Sequence, residues 1–299
     1  MERRFTYVVD QCEAGITIEQ YLKKRGYSRQ VMTHLKRTEN GILLDGNWAY
    51  TRDTVAAGSR LDIRISEEGA SEKIAPVCLP FDIVYEDKDL MVVNKPGNMP
   101  VHPSMNHHDN TLANAVAWSC REKGEYFPYR CINRLDRNTT GLLILAKHML
   151  SAAVLYGQMR ERKIRRIYLA IVKGRLEHPG VIALPIGRKE GSAIERAVDM
   201  ERGERAVTHY RPLRWGDGWT LVQCILETGR THQIRVHMSC LGHPLPGDFL
   251  YCPGDHTIDR QPLHSWKLSF RHPITGEKME FTQPLPADMV SYMSRTEGK

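Results

Sequence analysis

Apolar positions in residues 17–65 recur first at helical and then at strand spacing. Ile18, Tyr21 and Leu22 follow Thr17 at helical intervals, which predicts a short helix capped by the threonine hydroxyl and ended at Gly26. Ser28 opens a second helix in the same way, with Val31, Met32 and Leu35 on one face. Residues 41–47 read as a strand and turn, and the alternation Leu61-Asp62-Ile63-Arg64-Ile65 predicts a strand that closes the unit. Residues 66–73 are polar and small, a linker by composition. Beyond Pro80 strands dominate: 81–87 and 90–95 around a turn at 86–89, then 141–146, 166–173, 208–213 and 220–227. Helices fit 149–162 and 231–241, the second capped by Thr231, with Ile234, Met238 and Leu241 on one face and Gly242 at its end. Strands outnumber helices and many are joined by short turns. The expected fold class is therefore α+β: a mixed, largely antiparallel sheet with flanking helices in residues 80–299, a linker over 71–79, and a small N-terminal α+β unit in residues 1–70.

A length of 299 residues fits two such domains. The charged start and the lack of any long apolar stretch predict a soluble, unexported chain with no membrane association. The seven cysteines form no Cys-x-x-Cys pair, which fits reduced thiols and a cytoplasmic location better than a zinc ribbon or a disulfide framework. A monomer is the default expectation. The net charge of +7 is equally compatible with a polyanionic partner and with an ordinary basic protein. Its distribution is more informative. Residues 20–40 hold Lys23, Lys24, Arg25, Arg29, Lys36 and Arg37 against Glu39 alone. Residues 134–175 hold ten basic side chains against Asp136 and Glu161, an excess larger than that of the whole chain. Both stretches suit phosphate-bearing ligands, although a charge run is also what a solvated helix face looks like.

The chemistry narrows by residue type. His102, His107, His108 and Asp109 are metal-ligand types, but their segment has no helical register that sets them on one face, so no metal site is assigned. Neither a Gly-x-x-x-x-Gly-Lys nor a Gly-x-Gly-x-x-Gly loop is present, and no Gly-x-Ser-x-Gly elbow. What remains is Arg134-Leu135-Asp136-Arg137, a lone carboxylate between two arginines just before a strand. Adjacent cations keep such a group ionised, as a nucleophile or base requires. Asp136 also fits a plainer role, bonding backbone amides of the turn at 138–141. Tyr168 sits mid-strand, either as a core aromatic or as a ring for stacking on a base. Arg230, just ahead of the helix at 231–241, is either a surface residue or a two-pronged partner for a carboxylate such as Asp136. His232 and His237 fit helix-surface or packing roles.

Two resemblances emerge from these residues. The two basic helices leading into a glycine-bounded hairpin resemble the alpha-L RNA-binding domain, which implies that the second helix and its loop touch RNA phosphates. The larger unit carries, in order, Asn94-Lys95-Pro96, Arg134-Leu135-Asp136 with Thr139-Thr140-Gly141, Tyr168 in Arg-x-Tyr-x-Ala, residues 228–237 (Thr-Gly-Arg-Thr-His-Gln-Ile-Arg-Val-His), residues 243–248 (His-Pro-Leu-Pro-Gly-Asp) with Tyr251, and residues 263–270. This series resembles the RluA family of pseudouridine synthases over roughly residues 80–288. The resemblance implies that Asp136 is the catalytic aspartate, that Arg230 pairs with it, that Tyr168 stacks on the target uracil, and that Arg134 helps hold RNA with the base flipped out. Leu263 would pack beneath the site. Two positions depart from the family pattern: Asn133 stands where histidine is common, implying altered substrate-loop contacts, and Pro246 stands where leucine is common, which leaves that loop's shape open.

The implied reaction isomerises uridine within RNA: the bond from sugar to base nitrogen breaks, the uracil turns, and the sugar carbon bonds to carbon five. Nothing is oxidised and no group is donated, so neither cofactor nor metal is expected. Pairing the two domains resembles the branch acting on large-subunit ribosomal RNA, with transfer RNA the nearest alternative. A non-catalytic RNA-binding or ribosome-assembly protein would use the same scaffold, but the joint presence of Asp136, Tyr168 and Arg230 argues for the enzyme. A metal-dependent hydrolase at 102–109 is the remaining rival.

Overall fold

The computed structural model describes residues 1–67, 74–104, 107–125 and 128–295. The N-terminal unit contains β1 (Glu2–Val8), α1 (Ile18–Lys24), α2 (Arg29–Arg37), β2 (Ile42–Leu44), β3 (Asn47–Trp48) and β4 (Arg60–Ser66), with the strands in the antiparallel order β1-β4-β2-β3. Both caps form as expected. The Thr17 hydroxyl accepts from the Gln20 amide at 3.2 Å and the Ser28 hydroxyl from the Val31 amide at 3.3 Å. The sequence reading missed β1. It is an edge strand in which Phe5 alone is fully buried, so a strand period is only weakly written among its charged residues.

The larger unit adds β5 (Asp82–Glu86), β6 (Leu90–Lys95), α3 (Leu112–Glu122), β7 (Thr140–Ala146), α4 (Met149–Arg160), β8 (Arg165–Lys173), β9 (Gly180–Ile182), β10 (Ile186–Arg188), β11 (Arg196–Val198), β12 (Thr208–Gly216), β13 (Trp219–Leu226), α5 (Gln233–Cys240), β14 (Leu263–Arg271), β15 (Lys278–Thr282) and α6 (Ala287–Arg295). Its main sheet has the order β5-β6-β7-β14-β8-β13-β12-β9, with β15 on β14. Every pairing is antiparallel except β7 with β14. The mixed, largely antiparallel α+β architecture agrees with the expectation. Expected and observed elements coincide closely for β6, β7, β8, β13 and α4. Helices α3 and α6 and strands β14 and β15 were not anticipated from periodicity. Residues 74–79 are irregular, but Ala75 and Val77 hydrogen-bond to Asn114 of α3; residues 68–73 of the expected linker lie outside the described residues.

The sheet is covered on both faces, which explains its continuous apolar runs. Along β7, Leu143 and Leu145 pack with residues of α3 and α5, while Leu142, Ile144 and Ala146 pack with Ala152 and Leu155 of α4. Helix α6 joins the second face through Met289, Tyr292 and Met293 against Leu169 and Ile171. Three strands are locked side by side at the centre: Ser265 of β14 is in register with both Gly141 of β7 and Tyr168 of β8. Gly141 has φ of 107°, and a Cβ there would run into the Ser265 backbone, so this seam admits only glycine.

The N-terminal unit packs on α4. Leu150 belongs to the same buried cluster as Phe5, Ile18, Val31 and Leu35. A Cβ on Gly26 would lie 2.7 Å from Val154, so the approach is close. Arg3 of β1 donates to Asp89 at 2.6 and 2.9 Å, and His148 lies 2.9 Å from the same oxygen. Asp87, Asp89 and His272 form a group of metal-ligand type among the described residues, but Arg3 and His148 already engage Asp89. No helix among the described residues is long and apolar enough to cross a membrane.

His264, in register with Thr140 across the parallel seam, lies 2.8 Å from its hydroxyl. Burial lowers its pKa to about 4, with the Arg260 charge acting in the same direction. The unfolded chain therefore binds the proton more tightly between pH 6.5 and 4. Stability from this residue is complete above that window and is lost as pH falls through it, by about 2 kcal/mol between pH 7 and pH 5. Urea denaturation at the two pH values should show a smaller loss for His264→Gln than for the wild type; equal losses would assign the acid sensitivity elsewhere.

Candidate active site

A cleft of about 510 Å³ opens where the loop before β7, the middle of β8, the start of β14 and the 227–234 segment meet. Asp136, Arg134, Tyr168, Arg230 and Leu263 all line it, so the residues singled out from sequence do converge. Asp136 is partly exposed, and its carbonyl accepts from the Thr139 amide at 3.1 Å, which turns the chain into β7. The loop is held from below by Lys95. That ammonium is fully buried and donates to the carbonyls of Pro96, Met99 and Arg137 at 2.7, 2.8 and 2.9 Å. Burial lowers its pKa to about 7.

The arginine that holds Asp136 is not the one expected. Arg230 points away, donating to Glu204 and to the Arg205 carbonyl. Arg235 of α5 takes the role instead: its Nη1 donates to Asp136 Oδ2 at 3.1 Å. The rest of its guanidinium is clamped by Asp248, with Nε and Nη2 donating at 2.7 and 2.8 Å. Arg235 is 2% exposed and Asp248 0%. Burial pushes the guanidinium pKa down, but the Asp248 bonds and the two carboxylate charges outweigh it and the net shift is upward. Arg230 precedes the helix and is solvated, whereas Arg235 is carried inward with α5. Residues 233–238 are all buried, so the apolar pattern could not tell which side faces the cleft. No local signal in the sequence marks Arg235, because its buried partner Asp248 is identified only by the fold. The expected Thr231 cap is also absent; His232 occupies the N-cap position in the left-handed region, with φ of 58°.

Tyr168 is buried with its side chain at the cleft wall, and burial raises its pKa, with Asp136 adding to the effect. Next to it Arg166 is buried with its Nε lacking a hydrogen-bond partner. A Cβ at Gly229 would come within 2.9 Å of that guanidinium, so the glycine makes room for it. Arg134, Arg160 and Arg162 are exposed around the rim. Asn133 does not reach toward a substrate loop as expected: it is buried, and its Oδ1 accepts from the Ile144 amide of β7 at 2.9 Å. Pro246 is buried, and Gly247 beside it, with φ of 65°, lies too close to the Ile258 carbonyl for any Cβ. The proline therefore sits in a well-defined turn that delivers Asp248.

The histidines of 102–109 disperse. His102 packs edge-on to Tyr129 with ring centroids 5.2 Å apart, and His107 contacts Asn110 and Arg137 at 3.1 and 3.4 Å. In the N-terminal unit Lys23, Lys24, Arg29, Lys36 and Arg37 are exposed. Arg25 is turned inward, paired with Glu13 at 2.6 and 2.9 Å and stacked 3.6 Å from the Tyr21 ring centroid, so it is not presented to a ligand as expected.

A carboxylate oriented by a buried arginine, beside an aromatic ring and under a largely cationic rim in which Glu227 pairs with Arg162 at 3.0 Å, defines an enzyme site for a polyanion that presents a flat group. Residues 89–240 match the family described as RNA pseudouridylate synthase. The chain is 38% identical to "Uncharacterized RNA pseudouridine synthase YjbO" of Bacillus subtilis (strain 168), covering 92% of this chain and 97% of that one. It is 40% identical to "Ribosomal large subunit pseudouridine synthase D" of Vibrio vulnificus (strain CMCP6), covering 83% and 81%. Among solved structures it resembles "Human RNA Pseudouridylate Synthase Domain Containing 1", with a TM-score of 0.58 at 30% identity, covering 73% and 86%. The chain belongs to the RNA pseudouridylate synthase family, and its activity is the isomerisation of uridine in RNA to pseudouridine.

The two arginines should separate cleanly in single-turnover assays on substrate RNA. Arg235→Lys keeps the charge but loses the fork, and should slow the RNA-saturated rate roughly 100-fold. Arg230→Ala should change that rate less than about 5-fold and act mainly on RNA affinity. The opposite ranking would restore Arg230 as the partner of Asp136.

Proposed function

We propose that this chain forms pseudouridine at specific positions of large-subunit ribosomal RNA, working as a cytoplasmic monomer, with Asp136 as its catalytic carboxylate. The observation that carries the reading is the Asp248–Arg235–Asp136 chain set beside Tyr168 in a cation-rimmed cleft. A uridine flipped from its stack would enter with its phosphates toward Arg134, Arg160 and Arg162 and its base against Tyr168. Arg235 orients Asp136 toward the nucleoside through its Nη1 bond to Oδ2. The bond between C1′ and N1 then breaks, C1′ bonds to C5, and the proton on C5 is replaced by one on N1, so atoms balance without an outside donor. The choice of ribosomal RNA is supported by the printed names of several relatives at 36–40% identity. Seven free cysteines favour a reducing compartment.

The test is a carbodiimide-based pseudouridine map of ribosomal and transfer RNA from cells lacking the protein, complemented with wild type or Asp136→Asn. Large-subunit sites should vanish in the null and return only with the wild type. Sites lost from transfer RNA would move the substrate, and full rescue by Asp136→Asn would remove Asp136 from the chemistry.

The N-terminal unit, which we read as an alpha-L-like RNA-binding domain within residues 1–70, docks on RNA through the exposed face of α2. Deleting it would uncover Leu150, so point changes are the better probe. Lys36→Ala with Arg37→Ala should weaken RNA binding and reduce the slope of log affinity against log salt by about 2. The single-turnover rate at saturating RNA should stay within about 2-fold. An unchanged salt slope would place the RNA elsewhere.

A further inference from the structure

His232 is placed at the head of α5 at a conformational cost. It holds the left-handed region, φ 58° and ψ 17°, where a non-glycine residue is disfavoured by roughly 1–3 kcal/mol. It also occupies the N-cap position without supplying a side-chain cap. Its ring enters the cleft instead, with Nε2 4.0 Å from Asp136 Oδ2, beyond hydrogen-bonding range. The other ring nitrogen, Nδ1, lies 2.9 Å from the Tyr251 hydroxyl.

Tyr251 determines which nitrogen carries the proton. Its oxygen already accepts from the Arg196 amide at 2.9 Å. Its own O–H is then satisfied by donating to His232 Nδ1, which leaves the imidazole proton on Nε2. Burial favours this neutral state twice, raising the Tyr251 pKa to about 12 and lowering that of His232. The Tyr251 ring is also packed in place: its centroid is 5.0 Å from the Arg235 guanidinium and its plane is edge-on to His232. One tyrosine thus braces both the arginine that holds Asp136 and the histidine beside it.

We propose that His232 is a neutral imidazole whose Nε2–H donates a hydrogen bond to a carbonyl oxygen of the uracil held next to Asp136, with Tyr251 as the positioning residue that fixes its tautomer. The proposal rests on the reading that uridine reacts in this cleft. When the C1′–N1 bond breaks, its electron pair stays with the base and spreads onto the ring carbonyl oxygens. A preoriented N–H strengthens its bond to such an oxygen as charge develops, and removing one donor of this kind costs roughly 100- to 1,000-fold in rate. No proton leaves His232, and it is still neutral when the base has turned.

Long-range ¹H–¹⁵N spectra of protein labelled at histidine nitrogens read the tautomer without any turnover, with His232→Gln assigning the signal. The wild type should show the Nε2–H pattern, and Tyr251→Phe should show mixed tautomers. In single-turnover assays His232→Ala should slow the RNA-saturated rate about 100-fold while RNA affinity changes less than about 3-fold. His232→Asn, which tolerates the left-handed backbone but lacks the reach, should behave like alanine at an unchanged melting temperature. His232→Gln, which restores a donor near Nε2, should recover about 10-fold. An Nδ1–H pattern in the wild type overturns the proposal, as does a loss confined to RNA affinity. A wild-type protein that makes no pseudouridine sinks the functional reading and removes uracil as the acceptor, whereas failure of the histidine variants alone leaves that reading intact.

Discussion

The ion triad of Asp248, Arg235 and Asp136, its first two members buried, is the constraint on which the site depends. A guanidinium removed from water is tolerable only when its donors are met with good geometry. Asp248 meets it as a fully buried fork, and its Oδ1 also accepts the amides of Leu250 and Tyr251 at 3.1 and 3.2 Å. That leaves one nitrogen directed at Asp136. The triad joins α5 and the turn that closely follows it, at 246–251, to the loop before β7, which lies 99 residues away at Asp136. Breaking a buried pair by removing one partner costs several kcal/mol, because a charge is left uncompensated. The same geometry that stabilises the junction therefore also orients the carboxylate.

The sheet sets the distance at which this happens. Parallel pairing of β7 with β14 places Gly141, Ser265 and Tyr168 side by side. The close approach at Gly141 and the Ser265 hydroxyl bond to the Leu142 carbonyl, at 2.9 Å, hold the seam. Asp136 enters from the strand on one side and Tyr168 stands on the strand at the other. Lys95 ties the Asp136 loop down through backbone carbonyls alone, so no side-chain carboxylate is engaged in that anchor.

Much of this was legible from local pattern. The caps at Thr17 and Ser28, the strands β6, β7, β8 and β13, and helix α4 follow from periodicity and turn chemistry because their own residues carry a clear apolar pattern, although the strands pair with remote partners. The convergence of Asp136, Tyr168 and Leu263 followed from motif resemblance. Strands held by distant partners whose own residues carry a weak apolar pattern were missed. Strand β1 is held by β4 across nearly sixty residues, and β14 by pairing with β7 and β8. Helix α3 has a Thr111 capping box with Asn114, a signal present in the residues but overlooked.

By itself the sequence determined the residue types of the site, the basic character around Asp136, the α+β class and the family. These depend on composition, spacing and short-range hydrogen bonding. Tertiary structure alone decided that Arg235 rather than Arg230 grips Asp136, that Arg25 and Asn133 serve the framework, and that His232 turns into the cleft. The physical reason is common to all four. Each side chain has several partners of suitable chemistry along the chain. Which one it meets is set by burial and by the close packing of segments that are remote in sequence.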